Sequence, residues 1–201
     1  MTTSSLRSNA QQVKKQEIES TSNASNATTP ALFSSIPVIS DKTLKTLQND
    51  FRYSTMTDVQ EQVLKLLPTD IDLLVRAKTG TGKTLAFLIA ALESAIARRN
   101  GVRFDGRNIP IMVISPTREL ALQIAAEAKK LLRGHFYRVE TAVGGSRRGQ
   151  TLELFQRGRM ELLVVTPGRI IDMLKSSEDC VKRLQNLECV SDYICSFDSH
   201  S

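Results

Sequence analysis

The chain has no tryptophan, and aromatic residues make up only 5% of its 201 positions. A broad aromatic platform for stacking single-stranded nucleic acid is therefore not expected. Histidine occurs twice and cysteine three times, as Cys180, Cys189 and Cys195. That set matches no zinc-ligand spacing and points to reduced thiols in an intracellular protein. No apolar run approaches the roughly 20 residues that a membrane-spanning helix requires. Acidic residues are outnumbered, 21 against 27 Lys and Arg, for a formal net charge of +6. A basic balance favours polyanionic partners, although a solvated basic surface has the same composition.

Residues 1–30 have little that could form a core. "TSNASNATTP" is polar and aperiodic, so this arm is expected to be disordered. From Phe33 onward the pattern is globular. "SDKTLKTLQNDF" starts with a cap, Ser40 or Asp41, and "TDVQEQVLKLL" with Thr57 or Asp58; both predict helices. Short apolar runs then alternate with longer helical patterns. "DLLVRA", "IPIMVISP", "RVETAVGG" and "ELLVVTP" predict strands. "GKTLAFLIAALESAIARR", "RELALQIAAEAKKLL", "RRGQTLELFQRG" and "GRIIDMLKS" predict the helices between them. The fold class that follows is α/β, with a parallel sheet covered by helices on both faces.

One stretch carries explicit chemistry. "AKTGTGKT", Ala77 to Thr84, fits a phosphate-binding loop, with Ala77 in place of the first glycine. Thr79, Gly80, Thr81 and Gly82 would let successive N–H groups converge on one anion at a helix start. Lys83 would reach the outer phosphates, and the Thr84 hydroxyl would hold Mg²⁺.

With "PTRELA" (Pro116–Ala121), "GG" (Gly144, Gly145) and "TPGR" (Thr166–Arg169) following in order, the chain resembles the DEAD-box RNA helicases from about residue 33 to 189. The resemblance implies a RecA-like first lobe that uses ATP and Mg²⁺, with Lys83 and Thr84 in catalytic positions. It implies an adenine-reading segment in "YSTMTDVQ", where Gln60 would pair with the base and Tyr53 would pack on it. Phe33 would be the isolated upstream aromatic. It implies that Pro116, Thr117, Arg118, Gly144, Gly145, Thr166, Pro167, Gly168 and Arg169 hold an RNA backbone without reading sequence. Arg118 and Arg169 could instead pair with acids such as Glu119.

"LLVRAKTGTGKTLAFLI" looks most like the mitochondrial branch of that family; nucleus and cytoplasm stay open. No stable oligomer and no membrane partner are expected. The D-E-A-D carboxylates would follow "NLECV", but the tail from residue 190 diverges, and its apolar run "YICSFD" ends in a single acid, Asp198. Three expectations result: a helicase fragment covering residues 31–189, a nucleotide- and RNA-binding module without turnover, or an unstable piece.

Overall fold

In the computed structural model, residues 15–19, 30–68, 71–100, 102, 104, 107–145 and 148–192 are described. Six strands and seven α-helices lie along them, with one or two helices between successive strands. The strands are β1 (Lys15–Glu19), β2 (Asp72–Arg76), β3 (Ile111–Ile114), β4 (Val139–Ala142), β5 (Leu162–Val165) and β6 (Cys189–Asp192). The helices are α1 (Asp41–Thr46), α2 (Asp58–Leu64), α3 (Lys83–Arg98), α4 (Arg118–Leu132), α5 (Arg148–Arg157), α6 (Pro167–Ser176) and α7 (Glu178–Leu184).

The α/β class is as the alternation predicts, and every pairing among these six strands is parallel. Four strands form one sheet in the order β4-β5-β3-β6. Its centre is apolar on both faces because helices cover both. Ile111, Val113, Leu162 and Val164 join a core with α3 and α4 residues such as Leu88, Leu92 and Ile124. The alternate positions Met112, Leu163 and Val165 pack with Phe155, Ile170, Met173 and Cys180 from α5, α6 and α7. This is the two-sided burial that near-continuous apolar strands require.

Two expectations need correction. The arm expected to be disordered contributes β1, paired in parallel with β2 from Lys15↔Asp72 to Glu19↔Arg76. The cause is tertiary: Ile18 is 6% exposed, packed with Val59, Val63 and Ala86. The sheet is not continuous either. β2 pairs with β1, and between β2 and β6 lies a cavity of about 350 Å³ lined by Leu73, Val75, Lys83, Ala86, Cys189 and Asp192 among others. β2 is consequently half-exposed, with Leu74 53% accessible. The segment that diverges in sequence from residue 190 keeps a sheet position over its first three residues. Cys189–Asp192 pairs with Ile111–Ile114 in register.

Local signals explain most other boundaries. Ser177 caps α7 by accepting the Cys180 N–H at 3.2 Å, a helix the apolar periodicity did not reveal. The helix expected over "SDKTLKTLQNDF" narrows to α1 plus a π turn, Leu47–Phe51, ended by Arg52 at φ +62°. Among the described residues no helix is long and apolar enough to cross a membrane.

A buried polar network pins α1 to α3. Thr43 donates to Glu93 Oε1 at 2.5 Å, and Ser40 donates to the same oxygen at 2.9 Å. Because the only Thr43 proton is used there, His135 Nε2, 2.9 Å away, must be the donor to Thr43 Oγ1. Burial first, then Lys42, lowers the His135 pKa to about 4. Burial pushes the Glu93 carboxyl the other way, upward. Between roughly pH 6.5 and 4 the unfolded chain takes up a proton that the folded imidazole refuses. The stabilisation linked to His135 is thus present above that window and lost as pH falls through it. Glu93 opposes this, since its contribution is lost as pH rises through its folded value. Comparing the wild type with His135→Gln isolates the histidine. The stability difference between them is expected to move against the wild type on going from pH 7 to pH 4, by at most about 1.4 kcal/mol per pH unit. Denaturant titrations across that range check it.

Candidate functional site

The parallel register delivers the strand ends to one edge. Ile114 and Ala142 both align with Val165. The Ser115 N–H donates to Val165 O at 2.8 Å, and the Thr166 N–H to Ala142 O at 3.2 Å. The loops after β3, β4 and β5 therefore leave side by side, where open α/β sheets place ligands.

The loop after β2 is shaped by two glycines with positive φ, Gly80 at +80° and Gly82 at +82°. Gly82 is the N-cap of α3. Thr81 Oγ1 donates to Lys78 O at 2.8 Å. Lys83 donates to Ala77 O, and also to Lys78 O at 2.8 Å. The ammonium thus lies inside the curl, where an anion could draw it off the carbonyls. Ala77 packs against the cluster of Ile18, Val59, Val63 and Ala86, so its methyl has a structural use that a glycine would not supply. Thr84 is half-buried in the first turn of α3.

Helix α2 is tied to this loop by its own cap. Thr57 Oγ1 accepts the Gln60 N–H at 3.4 Å, and Gln60 Oε1 accepts the Thr57 N–H at 3.0 Å, a reciprocal capping box. The same Thr57 hydroxyl donates to Thr81 O at 2.8 Å, and Gln60 Nε2 donates to Gly82 O at 3.2 Å. Gln60 is only 4% exposed. The structure therefore brings Gln60 to the phosphate loop, with both ends of its amide already bonded to protein. Tyr53 is 52% exposed and lines a separate hollow of about 130 Å³ with Phe33, Leu44 and Gln48. Phe33, the upstream aromatic, is 2% exposed and belongs to the core.

On the neighbouring loops, Pro116, Thr117 and Arg118 are exposed, and Thr117 caps α4 through the Leu120 N–H at 3.2 Å. A Cβ on Gly145, at φ +81°, would lie 2.7 Å from Arg118 Nη1, so the guanidinium rests directly on the exposed Gly144–Gly145 turn. Arg118 is thus engaged with that turn rather than with Glu119 in the way the sequence left open. Thr166 is the N-cap of α6, with Pro167 in its first turn and Gly168 exposed. Arg169 takes the acid-facing alternative, with Asp172 as its neighbour. Its side chain is 8% exposed, with Nη1 4.0 Å from Asp172 Oδ2.

At the end of β6 stands Asp192, paired with Ile114. Paired residues in parallel strands share a face, and Ile114 packs with Met112 on the α6–α7 side. Asp192 reaches the correct edge with the wrong parity, because a shift of one residue exchanges sheet faces. Asp198, the acid proposed from sequence, lies outside the described residues. Among the described residues no group of three or more His, Cys, Asp or Glu side chains is placed to hold a metal.

The model for the DEAD/DEAH box helicase matches residues 57–190. The chain belongs to this family. It is 41% identical over 152 residues to DEAD-box ATP-dependent RNA helicase 25 of Oryza sativa subsp. japonica, a match covering 75% of this chain and 25% of that protein. It is 42% identical over 151 residues to ATP-dependent RNA helicase has1 of Aspergillus fumigatus, covering 74% of this chain and 23% of that one. The chain thus spans about a quarter of the length of these curated relatives. Among solved structures it resembles Mss116p bound to ssRNA and AMP-PNP, with a TM-score of 0.73, 27% identity and coverage of 89% of this chain and 35% of that one. It also resembles the yeast DEAD-box splicing factor Prp28, with a TM-score of 0.70, 25% identity and coverage of 81% and 38%.

Within this DEAD/DEAH box lobe, Thr57 is the cap of α2 that the sequence offered beside Asp58, but its role in holding the loop was not foreseen. The signal for the cap was available in the T-x-x-Q spacing at a helix start. Its link to Thr81 was not, since 24 residues separate the two. Replacing Thr57 with Val removes the cap and the bond to the loop together. The expected cost is about 1–2 kcal/mol, accompanied by faster amide exchange at residues 79–84. Chemical denaturation and exchange mass spectrometry check these two effects.

Proposed function

We propose that this chain forms the ATP–Mg²⁺-binding and RNA-backbone-binding lobe of an ATP-dependent RNA helicase. The observation that carries this reading is the loop Ala77–Thr84, curled on two positive-φ glycines, with Lys83 drawn inside at the start of α3. Curled amides and a helix N-terminus favour a bound phosphate. A triphosphate would replace the carbonyls of Ala77 and Lys78 as the partner of Lys83. Thr84, next in the helix, would be the protein ligand for Mg²⁺, which would screen the phosphate charge. Gln60 would act in two ways, bracing Gly82 and facing the base. Its amide nitrogen has a second hydrogen and its oxygen a second lone pair for this.

RNA would cross the neighbouring loops. Thr117, Arg118, Gly144, Gly145, Thr166 and Gly168 offer hydroxyls, charge and close backbone approach at helix starts, which suits sugar and phosphate rather than base edges. Buried Arg169 would support the loop instead of reaching the strand. Intracellular placement is part of the same reading, supported by the free thiols of Cys180 and Cys189. Burial pushes the Cys180 thiol up to about 11, so it is not a reactive thiolate.

One observation favours a second reading, binding without turnover. Turnover requires a carboxylate at the metal and an oriented water. By register Asp192 shares the sheet face of Ile114, and although it lines the β2–β6 cavity with Lys83, no group of three His, Cys, Asp or Glu among the described residues is placed to hold a metal there.

Binding of MgAMP-PNP and of single-stranded RNA by the folded chain tests the proposal. Lys83→Ala is expected to weaken nucleotide binding more than tenfold while leaving the fold intact. Arg118→Ala is expected to weaken RNA of any sequence to a similar extent and to reduce the salt slope by roughly one phosphate contact. A folded wild type with no affinity for MgAMP-PNP would contradict the nucleotide assignment. Release of inorganic phosphate under RNA would decide against the second reading.

A further inference from the structure

The strand next to the phosphate loop comes from the N-terminal arm. We propose that the outer edge of β2 is a strand-docking site, and that Lys15–Glu19 is its occupant: a strap whose docking holds the nucleotide loop in shape. The proposal rests on the nucleotide reading above for its functional half only.

Five consecutive residues pair, from Lys15↔Asp72 to Glu19↔Arg76. Main-chain pairing at a sheet edge gives attachment, and alternate side chains give selectivity. "KQEIE" has one apolar residue, Ile18. Its neighbour Glu17 is exposed, while Ile18 is 6% exposed. A single anchor in a polar strand suits reversible docking better than permanent burial.

The anchor's position is what couples it to the loop. Ile18 packs with Val59 and Val63 of α2 and with Ala86 of α3, and Ala77 of the loop packs against the same cluster. Helix α2 carries Thr57 and Gln60, which bond to Thr81 and Gly82. Helix α3 begins at Lys83. The side chain of Ile18 is therefore the floor beneath both supports of the loop. On its other side β2 meets the cavity and not β6. Among the described residues, β1 is the strand that pairs with β2. Without it, the strand leading into the loop has no ladder.

Two consequences follow by linkage. Docking raises nucleotide affinity, and nucleotide must strengthen docking by the same factor. A strand from elsewhere that displaced Lys15–Glu19 without filling the place of Ile18 would lower affinity without touching the loop.

The test uses the whole 201-residue chain. Ile18→Asp should speed amide exchange over residues 72–84 by tenfold or more in the absence of nucleotide. It should also weaken MgAMP-PNP on the order of fivefold or more. Exchange in α4 and β5 should not change, and the exposed-site control Glu17→Gln should behave as wild type. A synthetic peptide of residues 12–22 should restore both properties to the Ile18→Asp chain. Unchanged exchange at 72–84 in Ile18→Asp would overturn the strap. If that variant also loosens α4 and β5, the milder Ile18→Ala must confine the loosening to 72–84, or the proposal falls. A wild type that binds no MgAMP-PNP would remove the nucleotide reading, while the exchange data would still decide whether the strap exists.

Discussion

Parallel pairing sends every strand in the same direction, and the rest of this lobe depends on that constraint. Strands β3, β4, β5 and β6 run in register, so the loops that leave them share one edge. Each of the first three loops starts a helix. Helix starts carry unpaired N–H groups and a partial positive charge. Three of them side by side make a surface suited to an anionic backbone before any basic side chain is added. The sheet can hold this arrangement because its strands are buried on both faces, by α3 and α4 on one and by α5, α6 and α7 on the other.

The phosphate loop uses the same logic with a separate anchorage. Its strand is outside the four-stranded ladder. Stability comes instead from β1 at its edge and from α2, whose capping residues bond forward to Thr81 and Gly82. In this form the loop is internally satisfied: Lys83 bonds to its carbonyls and Gln60 to Gly82 and Thr57. A ligand must exchange those bonds for its own, so affinity reports the difference between two satisfied states. Gly82 illustrates how tight the packing is. A Cβ there would collide with Gln60 Nε2, on a backbone at φ +82° that disfavours side chains anyway.

Much of this was legible in the sequence, for identifiable reasons. "IPIMVISP" and "ELLVVTP" are short apolar runs between turn residues, and they became β3 and β5. "AKTGTGKT" announces its geometry because few residues other than glycine tolerate the required φ. What sequence could not show was decided by contacts distant along the chain. One isoleucine in a polar arm gives no periodic signal, yet Ile18 docks a strand because Val59, Val63 and Ala86 meet there. The sequence leaves Arg169 of "TPGR" open between an RNA backbone and an acid, and only the fold shows its side chain buried beside Asp172. The parity of Asp192 could be known only from the register of β6 on β3.

The central proposal is that the loops after β3, β4 and β5 receive RNA while the separately anchored loop after β2 receives nucleotide. Backbone amide NMR of the folded chain, titrated first with MgAMP-PNP and then with a single-stranded RNA, tests it most directly. The account predicts that nucleotide shifts residues 57–60 and 79–84, that RNA shifts residues 116–118, 144–145 and 166–168, and that the opposite ends of the strands stay still. Perturbations concentrated at the N-terminal ends of β3, β4 and β5, or none in a folded sample at saturating ligand, would contradict it.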